Sequence, residues 1–316
     1  MDPLAGLLDG PRARGAFVLR SELDPPWALR VQDRAPLTVL AVVRGAAWLL
    51  PDAGPRERLA AGDIAVVRGP GAYGVADDPA TPVQAVIHPG QRCTTPAGVE
   101  VPLGWQGPRT WGGAREGSTR LVTGTYQEEG AVSRRLLAAL PPVLVARAGP
   151  GRDGPGGVAP VVAWLAREAA REDPGQEAVL DRLLDLLLVA VLRGWFDRPG
   201  ARPPGWYAAA ADPVVGPALR LLQSAPERAW TVTSLAAAVG TSRTALARRF
   251  TALVGEPPMA YLTAWRLDLA ADLLREPGTT VAAVARRVGY GSPFALSAAF
   301  KRERGVSPAE HRAAAG

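Results

Sequence analysis

The sequence has 316 residues, which predicts about two domains of roughly 150 residues each. With 47% hydrophobic and 21% charged residues it can bury globular cores, and its single cysteine excludes an intramolecular disulfide framework. No run of about 18 uncharged apolar residues occurs, and the N-terminus lacks the basic start and apolar core of a signal peptide. We therefore expect a cytoplasmic protein without a membrane segment.

The net charge of +6 is concentrated in the last third of the chain. From Pro213 onward there are 13 basic and 7 acidic residues, whereas the 23 basic and 23 acidic residues before Pro213 cancel. Lys301 is the only lysine, so a genome that favours arginine codons explains why the basic residues are arginines. It does not explain why the positive excess lies at one end, which favours a polyanionic partner there.

The first 130 residues predict β-structure. Short segments rich in Val and Thr are separated by Gly, Pro and Asp turns at 38–45, 63–69, 83–88 and 119–126, a pattern typical of a sandwich or barrel. Residues 131–196 change to helical periodicity, with the longest helix predicted over 176–196. Residues 183, 186, 187 and 188 are all leucine, more than one helix face needs. We predict a homodimer through residues 158–196, or cover of these leucines by the barrel of the same chain.

A linker is predicted over residues 197–212, since prolines at 199, 203, 204 and 213 block both helix and sheet. Beyond it, residues 213–316 predict an all-α domain. The fold class expected is therefore α+β multidomain: an N-terminal β-barrel, a helical segment and a C-terminal helical domain.

A helix-turn-helix is predicted between residues 232 and 254. The first helix has an apolar face, Thr233 or Ser234 can cap it, Gly240 suits the sharp turn, and Ser242 can cap the second helix. The second helix would turn Leu246, Phe250 and Leu253 inward, and its outer face would present Arg243, Thr244, Ala247 and Arg248.

The same arrangement returns fifty residues later. The apolar face of the first helix would consist of Val281, Val284, Ala285 and Val288, and the turn would use Gly289 and Gly291. Ser292 would cap the second helix, with Pro293 in its first position. The inward-facing residues of that helix would be Leu296 and Phe300. The bridging helix predicted over 260–276 spans about 25 Å, which suits two units near one DNA turn apart. A pair of purely structural helical hairpins is the alternative, but it leaves the repetition and the basic excess unexplained.

Residues 235–274 (LAAAVGTSRTALARRFTALVGEPPMAYLTAWRLDLAADLL) and 279–312 (TTVAAVARRVGYGSPFALSAAFKRERGVSPAEHR) resemble the DNA-binding domain of the AraC/XylS family of bacterial transcription regulators. The resemblance implies two helix-turn-helix units in successive major grooves of double-stranded DNA, contact with RNA polymerase, and activation more often than repression.

By position, the resemblance implies base-facing slots at Thr244, Ala247 and Arg248 in the first unit and at Pro293, Phe294, Ser297 and Ala298 in the second. The remaining residues of the predicted DNA interface are Ser242, Arg243, Arg249, Ser292, Lys301 and Arg302. Ala298 stands where many relatives carry arginine, and Pro293 and Phe294 offer no hydrogen bonds. The second unit is therefore expected to read thymine methyls or DNA shape and to contact the DNA backbone.

The N-terminal part resembles the cupin-like sensor domain of some of these regulators, over LAAGDIAVVRGPGAYGVADDP (59–79) and LLAALPPVLVA (136–146). Where metal-binding cupins have histidines, this chain has Ala72, Tyr73 and Gly74. This difference favours a ligand pocket, intact or vestigial, that holds no metal. The effector-binding candidates are Trp27, Trp48, Tyr73, His88, Cys93, Trp105 and Trp111. The aromatic residues are equally suited to a core, and Cys93 either senses an oxidant or packs as a small apolar residue.

These features together predict a one-component transcription regulator with domains at 1–130 (sensor barrel), 131–196 (helical segment), 197–212 (linker) and 213–316 (DNA-binding). No catalytic residue, cofactor or metal is expected, since His88 is the only histidine outside the C-terminal domain. A cupin-type enzyme with an accessory DNA-binding domain is the alternative, and a structural nucleoid protein is a weaker third interpretation.

Overall fold

The computed structural model describes residues 17–101, 105–107, 109–113, 116–126, 136–148, 157–201, 203–276 and 278–313. The chain divides into two compact units. Of the described residues, 17–126 and 137–201 belong to the N-terminal unit, and Leu136 and residues 203–313 belong to the C-terminal unit. The N-terminal unit contains the strands and two long helices, and the C-terminal unit is helical. Thus the predicted fold class, a β-domain followed by a helical domain with two helix-turn-helix motifs, is confirmed.

Thirteen strands are described in the N-terminal unit. They are β1 (Phe17–Leu23), β2 (Ala28–Val31), β3 (Leu37–Arg44), β4 (Ala46–Pro51), β5 (Glu57–Ala60), β6 (Ile64–Arg68), β7 (Tyr73–Ala76), β8 (Ala85–Ile87), β9 (Cys93–Thr94), β10 (Trp105–Gly107), β11 (Thr110–Trp111), β12 (Thr119–Tyr126) and β13 (Val143–Ala146). The described strands form a seven-stranded sheet in the order β10-β11-β1-β12-β3-β6-β13 and a six-stranded sheet in the order β5-β4-β7-β2-β8-β9. Pairing is antiparallel except between β1 and β11 and between β2 and β8.

The inner faces of the two sheets share one apolar core. Side chains alternate along each strand, so Leu19 and Leu23 of β1 and Leu121 of β12 join this core together with Leu49 and Val75 of the other sheet. Short Val- and Leu-rich strands between Gly and Pro turns therefore fold as the sequence predicts, because each supplies one buried row to the same interior.

Two helices cover the outer face of the larger sheet, namely α1 (Ala159–Glu168) and α2 (Gln176–Phe196). Gly124 of β12 lies so close to α2 that a Cβ atom there would be 2.3 Å from Cδ1 of Leu184. Nearby, the hydroxyl of Tyr126 donates to a carboxylate oxygen of Asp185 at 3.3 Å. In the preceding segment residues 136–139 are helical, while residues 131–135 lie outside the described part of the chain.

The four leucines on which the dimer prediction depends do not share one environment. Leu183, Leu187 and Leu188 are buried within the N-terminal unit, and only Leu186 is exposed, at 51%. Three of the four leucines are thus covered within the same chain, which was the alternative to a dimer considered above.

The C-terminal unit is built from helices α3 (Gly205–Ala208), α4 (Val215–Ser224), α5 (Val232–Ala238), α6 (Arg243–Val254), α7 (Pro258–Leu273), α8 (Val281–Val288), α9 (Pro293–Arg304) and α10 (Pro308–Ala313), with a 3₁₀ turn at Ala209–Ala211 between α3 and α4. Within the described ranges, neither unit contains a helix long and apolar enough to cross a membrane.

The second half of the predicted linker is folded. Residues 205–211 form α3 and the 3₁₀ turn, and Trp206 is only 6% exposed. A Cβ atom on Gly205 would be 2.4 Å from the carbonyl oxygen of Leu253, so glycine lets this segment pack closely against the end of α6. The prolines on either side limit the length of the helix, but they do not prevent the tryptophan between them from joining the core.

Candidate nucleic-acid interface and barrel interior

The first helix-turn-helix begins with a capping box at Thr231. Its hydroxyl accepts from the amide of Ser234 at 3.0 Å, and the Ser234 hydroxyl accepts from the amide of Thr231 at 2.9 Å. The prediction that Thr233 or Ser234 would be the cap is therefore wrong by position. Thr231 has an extended backbone and α5 begins at Val232, so Ser234 takes the N3 position instead.

The turn and the second helix of this unit follow the sequence prediction closely. Gly240 has φ +70°, and the hydroxyl of Ser242 accepts from the amide of Ala245 at 3.2 Å at the start of α6. Leu246 and Phe250 are fully buried. Leu253, predicted to point inward with them, is 36% exposed because it lies in the last turn before the left-handed Gly255.

The second helix-turn-helix is built in the same way. Thr280 caps α8, the hydroxyl of Ser292 accepts from the amide of Ala295 at 3.1 Å, and Pro293 is the first residue of α9. Gly289 is in the left-handed region at φ +84°, whereas Gly291, predicted to share that task, is not. One left-handed residue is enough to reverse the chain here because the extended Ser292 completes the connection.

The exposed face of α6 carries the predicted base-facing residues of the first unit. Arg243, Thr244 and Arg248 are exposed and Ala247 is half-buried. Among the described residues, Arg243 and Arg248 have no hydrogen-bond or ion-pair partner, so both guanidinium groups can reach a ligand. A helix face with unengaged arginines beside a small residue is suited to an anionic groove.

Arg249, next to Arg248, is already engaged. Its Nε and Nη2 donate to Oδ2 of Asp212 at 2.9 and 2.7 Å. Oδ1 of Asp212 accepts from the amides of Val214 and Val215 at 2.9 Å each, at the start of α4. Burial alone would raise the pKa of Asp212, but these amides and the guanidinium group lower it overall. Arg249 thus ties α6 to the start of α4.

The exposed face of α9 differs in chemistry. Phe294 is 84% exposed and Ala298, one turn later, is also exposed, while Pro293 and Ser297 are half-buried. Basic side chains follow at the C-terminal end of the same helix, where Lys301 and Arg302 are exposed, and Ser292 is half-buried at its start. Arg304 is turned inward, where it pairs with Asp268 of α7.

Two arginines for which the sequence analysis proposed no role join helices of the C-terminal unit to its connecting segments. Arg266 of α7 donates to the carbonyl oxygens of Pro226 and Arg228 at 2.7 and 2.8 Å, and Arg312 of α10 donates to those of Leu274 and Thr279 at 3.1 and 2.6 Å. Burial lowers the pKa of Arg266. No local sequence pattern marks the role of Arg266, although its helix neighbours Leu262, Trp265 and Leu267 are buried.

In the N-terminal unit a cavity of about 40 Å³ lies between the two sheets. Of the predicted effector residues, Tyr73 and Trp111 line it, and Trp27, Trp48 and Cys93 do not. Trp27 and Cys93 are buried elsewhere and Trp48 is half-buried in β4. Trp105 lies in β10, and its side chain is outside the described structure.

The cavity also has polar lining that the sequence did not indicate. Asp33 is half-buried at its edge, and burial raises the pKa of its carboxyl although the amides of Ala35 and of Asp33 itself oppose the shift. Burial, with Asp33 nearby, raises the pKa of Tyr73. The indole Nε1 of Trp111 is buried and has no acceptor among the described residues. Apolar walls with a few polar groups are typical of small-molecule pockets.

His88 and Cys93 lie apart from this cavity. His88 borders an open groove with Gln32 and Arg34, and one of its ring nitrogens is 2.9 Å from the hydroxyl of Thr94. Burial raises the pKa of the Cys93 thiol, which disfavours the reactive thiolate. Among the described residues, no three His, Cys, Asp or Glu side chains are grouped so as to hold a metal ion.

Comparison with known proteins adds the following findings. A cupin family model matches residues 2–197, and a helix-turn-helix domain model matches residues 235–314. Two proteins described as putative AraC-like transcription regulators are similar over the whole chain. The one from Streptomyces antibioticus is 33% identical and the one from Streptomyces lividans 34%, each over 99% of this chain and 98% of the relative.

Two further similarities are confined to parts of the chain. The HTH-type transcriptional regulator AlkR of Acinetobacter baylyi is 34% identical over 56% of this chain and 58% of its own length. Among solved structures, the DNA-binding domain of AdpA in complex with a target DNA is 38% identical, covering 33% of this chain and 93% of that one with a TM-score of 0.31.

Proposed function

This chain belongs to the family of AraC-like transcription regulators, and we propose that it binds a specific DNA sequence through its C-terminal unit under the control of a small-molecule effector in its N-terminal unit. The observation that carries the proposal is the pair of capped helices, α6 and α9, each with a solvent-exposed face in the part of the chain that holds the whole positive excess.

In this proposal the residues have distinct roles. Thr244, Ala247 and Arg248 face bases in one major groove, and a bidentate pair of Arg248 with guanine contributes about 1–3 kcal/mol of discrimination. Contacts to the DNA backbone are made by Ser242, Arg243, Arg249, Ser292, Lys301 and Arg302. Such contacts fix the position of the protein on DNA but do not select a sequence.

The test is selection of binding sites from randomised duplex DNA by the full-length protein, followed by affinity measurements between 50 and 200 mM salt. We expect one enriched motif and an affinity that falls steeply with salt, by about 10³–10⁵ if 6–10 phosphates are neutralised. Arg56→Ala, which removes an exposed arginine from the N-terminal unit, is the control and should change neither result. Absence of an enriched motif, or salt-independent binding, would refute the proposal.

For the effector, we favour an organic ligand between the two sheets over thiol chemistry, because burial raises the pKa of the Cys93 thiol and so disfavours the reactive thiolate. The cavity of about 40 Å³ is smaller than the ~150 Å³ that admits benzene in an engineered protein, so the barrel must expand to take a ligand. The ligand would regulate DNA binding only through different affinities for two states of the protein. Thermal shifts with a metabolite panel, with and without chelator, test this.

We further propose that the protein is not an enzyme, acts in the cytoplasm, activates transcription through RNA polymerase, and dimerises. The naming of the full-length relatives as regulators supports the first point. The exposed Leu186 and Trp164, on α2 and α1, support self-association. Stoichiometric zinc or iron with activity lost on chelation would favour the cupin-enzyme alternative. In vitro transcription with polymerase and light scattering at tens of micromolar test activation and dimerisation.

A further inference from the structure

Phe294 is the most exposed of the large apolar side chains in the described part of the chain, at 84%. It lies in the first turn of α9, where the Ser292 cap and Pro293 at the first helical position hold the backbone in place. A phenylalanine left in water forgoes most of the free energy that its burial would provide. An aromatic ring that is 84% exposed in the first turn of a capped helix is therefore available for a contact that forms only in a complex.

The surroundings of Phe294 restrict the kind of partner. Ala298 lies one helical turn further along the same face and is exposed, so the tip of the face is apolar. Lys301 and Arg302 are exposed further along α9, and Arg286 is exposed on the preceding helix α8. The partner must thus offer a small apolar group at the centre of contact and negative charge around it.

The major groove of DNA at an A·T pair has this chemistry. The thymine 5-methyl group is the apolar group on the base edges of the groove, the phosphates at its margins are anionic, and Phe and Ala are side chains that contact it. No side chain of the apolar tip can make the bidentate hydrogen bonds that distinguish guanine or adenine.

We propose that the second helix-turn-helix recognises thymine methyl groups through Phe294, with Ala298 beside it, whereas the first recognises bases by hydrogen bonds from Arg248. This inference rests on the proposed sequence-specific DNA binding and adds the chemical feature that α9 reads. The operator is then composite, with one half defined by hydrogen-bonding edges and the other by the positions of methyl groups.

The experiment is a uracil scan of the selected site with the full-length protein. Each thymine is replaced in turn by uracil, which lacks only the 5-methyl group, and affinity is measured for the wild type and for Phe294→Ala. We expect one or two positions at which uracil weakens wild-type binding about fourfold, the factor for burying one methyl group. At those positions Phe294→Ala should bind thymine and uracil DNA equally.

Val306→Ala is the matched control, since it also removes exposed apolar surface from the C-terminal unit but lies beyond the end of α9. It should keep the uracil sensitivity of the wild type. Thermal unfolding checks that Phe294→Ala stays folded, as expected for so exposed a residue.

A scan in which the wild type and Phe294→Ala respond alike at every thymine overturns the inference, although the selected motif would leave the proposed function intact. If Phe294→Ala keeps the full uracil response but loses polymerase-dependent transcription or changes the oligomeric mass, the ring contacts a protein and the inference is equally wrong. Absence of any selected motif overturns both proposals.

Discussion

Alanine substitution of the adjacent residues Arg248 and Arg249 should affect different properties of the protein, although both are exposed arginines on one helix. Replacing Arg249 should lower stability, and replacing Arg248 should change the DNA sequence that is selected. Arg249 is held by two bonds to Asp212, at 2.9 and 2.7 Å, but its side chain is 49% exposed. Water screens such a pair, so we expect Arg249→Ala to cost no more than about 1 kcal/mol of stability. For a domain of this size that lowers the melting temperature by at most about 4–8 °C.

Arg248→Ala should leave stability within about 0.5 kcal/mol of the wild type, since it has no partner in the described structure. Its effect should instead be on DNA, with an affinity loss of about 1–3 kcal/mol and relaxed preference at one base pair. Arg249→Ala should keep the selected motif, weaken binding on all sequences alike and reduce the salt slope by about 0.9, the loss of one phosphate contact.

The assays are chemical unfolding of the full-length variants and repeat site selection with each. Asp212→Asn completes a double-mutant cycle with Arg249→Ala, because asparagine keeps an acceptor for the amides of Val214 and Val215 but removes the charge. A larger loss of stability with Arg248→Ala than with Arg249→Ala, or a changed motif with Arg249→Ala and an unchanged one with Arg248→Ala, would refute the reasoning.

Three further predictions concern stability. Ser242→Ala and Ser292→Ala should each cost about 1 kcal/mol in urea unfolding, because each removes the acceptor for a helix N-terminal amide, and unchanged midpoints would contradict that role. The pKa of Asp212 is lowered on folding, so the ionised carboxylate stabilises the folded protein fully above about pH 4, its unfolded-state pKa. This contribution to the free energy of unfolding is lost as pH falls through the folded-state pKa. Asp212→Asn should therefore flatten this part of the profile of stability against pH. Gly124→Ala should destabilise the N-terminal unit by about 1–3 kcal/mol through overpacking against Leu184, measurable by thermal unfolding, and wild-type stability would contradict the close contact.

The two helix-turn-helix units could be predicted from the sequence because their signals are local. Ser242 and Ser292 each lie three residues before the amide they cap, and the left-handed Gly240 and Gly289 stand beside the helix ends they produce. Apolar spacing then identifies which side of each helix is buried. These are interactions within one or two helical turns, so a single sequence is enough to indicate them.

What could not be predicted depends on contacts between distant residues. Arg266 contributes to the basic excess, yet its bonds are to carbonyl oxygens about 40 residues away, which no local pattern reveals. Trp206 is buried despite the prolines around it, because α6 offers it a surface. The same holds for the barrel, where Asp33 and Tyr73 line one cavity although they are far apart in the sequence, because β2 pairs with β7.

Gly289 also has a mechanical consequence. A Cβ atom there would be 2.7 Å from the backbone of Glu227, in the connection between α4 and α5 that Arg266 also holds. The turn before α9 therefore packs closely against the connection that leads into the first helix-turn-helix, and we expect the two helix-turn-helix units to keep a fixed spacing. Inserting a single base pair between the halves of an operator should therefore prevent the two helix-turn-helix units from binding their half-sites at the same time. Exchanging the exposed residues of one unit should change the sequence which that unit selects and leave the sequence selected by the other unit unchanged.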